Sequence, residues 1–142
     1  MRSKPLMCFA LVAGLLTVCG SLFAHHGNAA YSETVSVLKN ATVTKLVWAN
    51  PHAIVMFDAK DDHGNVVHWV GEVSSPPGLI QLGWNRNSLQ PGDVITVYVH
   101  QAKSGSPVGW LARIELPDGK ALCGMTFGDN GYCGVPRPKS KQ

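Results

Sequence analysis

Residues 52–60, HAIVMFDAK, residues 61–65, DDHGN, and residues 66–72, VVHWVGE, decide the fold of this chain. The two outer runs are β-rich and the middle one consists of turn formers, so the stretch predicts a hairpin of two strands. Gly64 can take the left-handed position of a bulged loop, which sets Asp61 opposite Asn65. In that register Asp58 faces His68, Ile54 faces Glu72 and His52 faces Ser74. A slip of one residue would move every side chain to the other face.

Upstream, residues 35–48 read as one long strand, bent near Lys39 and Asn40 and stopped by Asn50-Pro51. Downstream, Ser74-Ser75-Pro76-Pro77 introduces a short helix over 78–84, with Ser as N-cap, proline in the first turn and Gly83 at the end. Pro91-Gly92-Asp93 launches a fourth strand over 94–102, with Ile95, Val97 and Val99 on one face and Thr96, Tyr98 and His100 on the other. A fifth strand follows over 109–116, then the turn at 117–120 and a short return at Ala121-Leu122. Three strands, a short helix and two strands is the order of an OB-fold. The expected fold class is therefore all-β with one short helix, a small OB-fold-like five-stranded barrel over residues 35–134. A two-sheet β-sandwich built from the same elements is the alternative.

The chain ends modify its overall composition. Hydrophobic residues make up 45% and charged residues 15%, too apolar and too weakly charged for a disordered chain. Arg2 and Lys4 followed by the apolar run from Leu6 to Val18 and by Leu22-Phe23-Ala24 read as a signal peptide over 1–24, exported to the periplasm and cut after Ala24. The alternative is a retained N-terminal anchor, since the run is nearly long enough to span a bilayer. Cleavage would remove Arg2 and Lys4, leaving ten of the twelve basic residues against nine acidic ones, a net charge of +1. Three of those ten, Arg137, Lys139 and Lys141, lie in a Pro- and Lys-rich tail over 135–142 that reads as disordered. The body has no basic face for nucleic acid, and no later segment is suited to crossing a membrane. Residues 25–34 read as an extended lead-in. Cys123 and Cys133 flank a Gly-Asp-Asn-Gly turn and are expected to form a disulfide in an oxidising compartment, with metal binding as the lesser alternative.

Five segments recur together in one order: Ala24-His25-His26, Trp48-Ala49-Asn50-Pro51-His52, Gly83-Trp84, Leu89-Gln90-Pro91-Gly92-Asp93 and Leu116-Pro117-Asp118-Gly119. With them the chain resembles the exported bacterial family called domain of unknown function 6152, over roughly residues 20–122. Trp-x-Asn-Pro-His is the most specific element. The resemblance implies an exported β-rich domain and carries no activity.

The residues that could carry chemistry are few. Cleavage after Ala24 would give His25 both an α-amine and an imidazole, and His26 a second imidazole, a nitrogen-rich terminus suited to copper. His52 would supply a third nitrogen if the lead-in folded back; otherwise His-His is only an exposed polar end, and His52 only holds its turn. Asn50 is a candidate ligand contact or a turn stabiliser. Among Trp48, Phe57, Trp69, Trp84, Tyr98 and Trp110, packing is the stronger expectation, with Trp84 the expected exception because a polar loop follows it. Asp58 and His68 form a cross-strand pair, either an orienting dyad or an ordinary solvated one. His63 and His100 read as surface residues. No serine-nucleophile elbow, phosphate loop, dinucleotide fingerprint or zinc-protease motif occurs. The sequence thus favours a non-catalytic module that binds a small ligand or a partner protein through Asn50, His52 and Trp84. The alternative is a copper protein, chaperone or histidine-brace type, using His25, His26 and His52.

Overall fold

The hairpin forms in the predicted register. Strand β2 (Ile54–Lys60) pairs antiparallel with β3 (Val66–Glu72), placing Ile54 opposite Glu72 and Asp58 opposite His68. Asp61 and Asn65 close the loop, with Asp61 N–H donating to the Asn65 carbonyl at 2.9 Å, and Gly64 takes φ 83°. The Asp61 carboxylate accepts from the Asn65 side chain and from the backbone N–H groups of Asn65 and His63. Those bonds, the Asn65 side chain first, hold its pKa below the ordinary carboxylate value.

The computed structural model describes residues 30–125 and Cys133. The other elements are β1 (Ser36–Val47), α1 (Pro76–Gln81), β4 (Val94–Gln101), β5 (Val108–Glu115) and β6 (Ala121–Cys123). The first half of β1 pairs with β4 and the second half with β2, both antiparallel. One strand can serve both sides because it bends where expected: Asn40 has φ 55° and the β1–β4 register shifts between Leu38 and Ala41. Asparagine is among the few side chains that visit the left-handed region readily.

Closure comes from a short parallel pairing of β3 with β5, which sets Val70 against Val108, Gly71 against Gly109 and Glu72 against Trp110. The ring β1-β2-β3-β5-β4 is thereby a closed five-stranded barrel, and β6 adds one further strand to β5. The barrel is the expected OB-fold-like one; the closure leaves no pair of separate sheets. The Gly71–Gly109 pair admits this seam. A Cβ on Gly71 would stand 2.5 Å from the Leu111 side chain, and one on Gly109 would stand 2.7 Å from the His100 carbonyl oxygen.

The interior is apolar: Val43, Val55, Phe57, Val97, Val99, Leu111 and Ile114 are fully buried, and no described polar or charged residue is. Each large side chain of this kind stabilises the fold by about 1.5–3 kcal/mol. Helix α1 has the expected serine at its N-cap position and proline in its first turn, and it ends at Gln81, two residues before the expected stop at Gly83. Its N-cap Ser75 makes no side-chain bond, and Leu79 is the residue it buries in the core. Cys123 and Cys133 are joined as a disulfide. The expected signal peptide, His25, His26 and the tail lie outside the described residues.

The seam generates a stability prediction. Gly109→Ala, whose Cβ meets backbone, should lower unfolding free energy by about 1–3 kcal/mol in urea denaturation. Gly64→Ala meets nothing within 4 Å and should cost only its left-handed strain, about 1 kcal/mol. Equal losses at the two positions would show that close approach to β4 is not what requires Gly109.

Candidate functional site

Parallel pairing at the seam puts Glu72 and Trp110 side by side, and the antiparallel β4–β5 ladder puts His100 next to Trp110. All three belong to the outward set of side chains, since Gly71, Gly109, Leu111 and Val99 point into the core. His52 joins them from the β1–β2 loop. Its neighbour Ala53 is pinned to the end of the hairpin: Ala53 N–H donates to Ser74 at 3.2 Å, and Val73 N–H donates to Ala53 at 3.0 Å. From that anchor His52 Nδ1 reaches the Glu72 carboxylate, and its ring meets Trp110 edge-on at 5.3 Å. The His52 side chain is 41% exposed and that of Glu72 27%, so the pair sits at the surface with solvent on one side.

The lead-in closes the other side. Tyr31 bridges to Ala102, Ser32 N–H donates to Gln101 at 2.8 Å, and Lys103 N–H donates to Ala30 at 2.9 Å. The Tyr31 phenol hydrogen-bonds Glu72, and its pKa is raised by burial and then by that carboxylate. His100 Nδ1 lies 2.9 Å from the Ser32 carbonyl. A carbonyl only accepts, so Nδ1 carries the proton and Nε2 of the neutral ring is an acceptor. Between lead-in and strands lies a cleft of about 290 Å³ lined by Tyr31, Ser32, Glu33, His100, Trp110 and Met125. Trp110 Nε1 is enclosed and has no hydrogen-bond partner among the described residues. A buried donor left unpaired costs about 1–3 kcal/mol.

Residues 12–111 match the family of unknown function DUF6152. The chain belongs to this family. No curated protein and no solved structure matches it.

Within this DUF6152 domain the predicted site residues separate. Asn50 and His52 are exposed in the β1–β2 loop, joined through the Asn50–Pro51 cis peptide, and of the two His52 reaches the cluster at Glu72 and Trp110. Trp84 departs from its expected exposure. It is only 2% exposed, and its Nε1–H donates to the Cys123 carbonyl at 2.8 Å, so the indole is committed to joining the segment after α1 to β6. The polar loop beyond it suggested a surface position, whereas the β6 carbonyl offered the indole N–H a partner inside. The aromatic at the cluster is Trp110 instead, half-buried as Trp48 and Tyr98 also are. Phe57 and Trp69 stack in the core as expected, 6.1 Å apart and 6° from parallel. Asp58 and His68 pair at 2.6 Å, with His68 83% exposed and no further ligand-type group gathered there.

His25 and His26 lie outside the described residues. Among the described residues no three His, Cys, Asp or Glu side chains could hold a metal. Glu72 and Tyr31 were not singled out by sequence, and His100, expected at the surface, is half-buried against the Ser32 carbonyl. Only β5's inward phase, Gly109 and Leu111, signals that Trp110 faces out.

Two substitutions separate core from cluster in this DUF6152 domain. Trp84→Phe keeps a ring but orphans the Cys123 carbonyl, and should lower stability by about 1–2 kcal/mol in chemical denaturation. His52→Ala removes a partly exposed pair and should cost no more than about 1 kcal/mol. A larger loss at His52 than at Trp84 would assign His52 to the framework.

Proposed function

We propose that the domain is an exported, non-catalytic binding module of the periplasm whose small-ligand site is the cleft beneath the lead-in. The observation that carries this reading is convergence: side chains from the lead-in, β4 and β5 line a cavity on one outer face, and His52 of the β1–β2 loop and Glu72 of β3 stand against its Trp110 and Tyr31. A face built only for solvent has no need to gather Tyr31, His52, Glu72, His100 and Trp110 in one place. Fold-level analogy points to the same side, since OB-folds use the loops after their first and fourth strands for binding. The volume stands at the lower end of the about 300–1,000 Å³ typical of small-molecule sites, which favours one small molecule over a polymer. The outer face offers no obvious nucleophile: both described cysteines are bridged.

Amide-resolved NMR of the mature chain tests this. A panel of small amines, carboxylates, neutral amides and sugars should include members that shift the Trp110 indole N–H and the Ser32 amide saturably. Glu72→Ala should weaken that response while leaving the core resonances in place. Shifts confined to other faces, or none with any panel member, would overturn the site.

A second reading, copper held by His25, His26 and His52, is favoured by one observation. Tyr31 hydrogen-bonds the carboxylate that His52 contacts, so the chain five residues after His26 is held beside His52. Five residues span at most about 16–18 Å, a length of chain that allows a bridge from Tyr31 back to the His52 ring. His52 Nδ1 faces Glu72, leaving Nε2 to face a metal. If this reading holds, Cu(II) titration of the mature chain should show tight binding, lost when one residue is added ahead of His25 and weakened by His52→Ala. Affinity unchanged by the extra residue would end it.

A further inference from the structure

The charge and surface character of the cleft specify its ligand further, and this step rests on the binding reading above. We infer that the cleft is selective for a small organic ammonium ion. Among its described lining residues the only full charge is the Glu33 carboxylate, and no lysine or arginine is present. Lys103 donates its backbone N–H to Ala30 but does not line the cleft. Directly behind the wall lies a second carboxylate, Glu72, bonded to Tyr31 and set beside Trp110 in the ladder.

The other polar groups add acceptors: the Tyr31 oxygen, the Ser32 hydroxyl and, in the neutral ring, His100 Nε2. An anion in the cleft would meet the Glu33 carboxylate with no lysine or arginine in the described lining to offset it, whereas a cation would be attracted to it; Glu72, already partnered by His52, adds less. The remaining wall is aromatic and soft. Tyr31 and Trp110 present ring surface, and Met125 a polarisable thioether. Aromatic faces attract a cation through the ring quadrupole, tryptophan most strongly, without requiring N–H donors on the ligand.

An inorganic cation fits less well. It needs a set of ligand atoms, and the described residues gather no three His, Cys, Asp or Glu side chains for one. An alkylated ammonium needs only ring faces and a nearby carboxylate, both of which are present. The volume of about 290 Å³ suits such an ion with a short substituent.

The test uses the full mature chain, choline as probe, and the neutral alcohol in which carbon replaces the ammonium nitrogen as its isostere. Choline should shift the Trp110 indole N–H and the Ser32 and Glu33 amides saturably, and the neutral isostere should bind about tenfold more weakly. Glu33→Gln, a surface change compatible with folding, should weaken choline about threefold or more, and added salt should weaken it in the same direction. Trp110→Phe keeps a ring with a weaker quadrupole and should also reduce affinity, its fold checked by unchanged core resonances. Equal binding of choline and isostere, or indifference to Glu33→Gln, would overturn the ammonium assignment. A panel carboxylate shifting these signals while choline does not would overturn it too, with the binding site left standing. Silence at the cleft from choline and from the whole panel would remove both.

Discussion

The parallel contact between β3 and β5 is the constraint on which the rest of the molecule depends. Three residue pairs make it, and at its centre stand two glycines with no room for a side chain: a Cβ on Gly71 would collide with the Leu111 side chain, and one on Gly109 with Val99 and the His100 carbonyl of the neighbouring β4. The glycine pair thus does two things: it shuts the barrel, and it fixes Glu72 and Trp110 as neighbours one residue further along. Parallel pairing is slightly weaker per residue than antiparallel. Here it is supported by Leu111, which covers the Gly71 side of the seam from inside and is itself fully buried.

Polarity is divided cleanly between the two faces of the barrel wall. The described core contains no buried polar or charged residue, so packing alone specifies it. The ionisable groups of the cluster stand outside, and His52, Glu72, Tyr31 and His100 are each held by a neighbour within hydrogen-bond reach. Chemistry on this face can therefore vary without unbalancing the interior, the usual arrangement when a rigid scaffold carries a site. Trp110 crosses the division, with its ring against His52 and its N–H enclosed.

What could be read from sequence follows the distance over which each feature is decided. The β2–β3 register was legible because the loop from Asp61 to Asn65 fixes it locally, down to the Asp58–His68 and Ile54–Glu72 pairs. The bend in β1 was legible because Asn40 tolerates the backbone it needs. Trp84 was misplaced at the surface because its hydrogen-bond partner, the Cys123 carbonyl, lies 39 residues away. The cluster was half legible. His52 stood out through its Asn-Pro-His setting, but Glu72, Trp110 and Tyr31 meet it only through the long-range seam and the docked lead-in.

The lead-in has a consequence in time. His100 Nδ1 and the Ser32 carbonyl are 68 residues apart in sequence, and Ala30 waits on Lys103 in the same way. A chain is made amino end first, so the lead-in exists before the β4 residues that receive it. Its docking must follow β4 and Lys103, and the cleft is not complete until Trp110 and Met125 are also in place. Pairings of this range are intrinsically slow because their loop-closure entropy comes due before any contact rewards it. A chain interrupted before Lys103 would hold a hairpin and a bent strand, with the amino-terminal wall of the site still undocked.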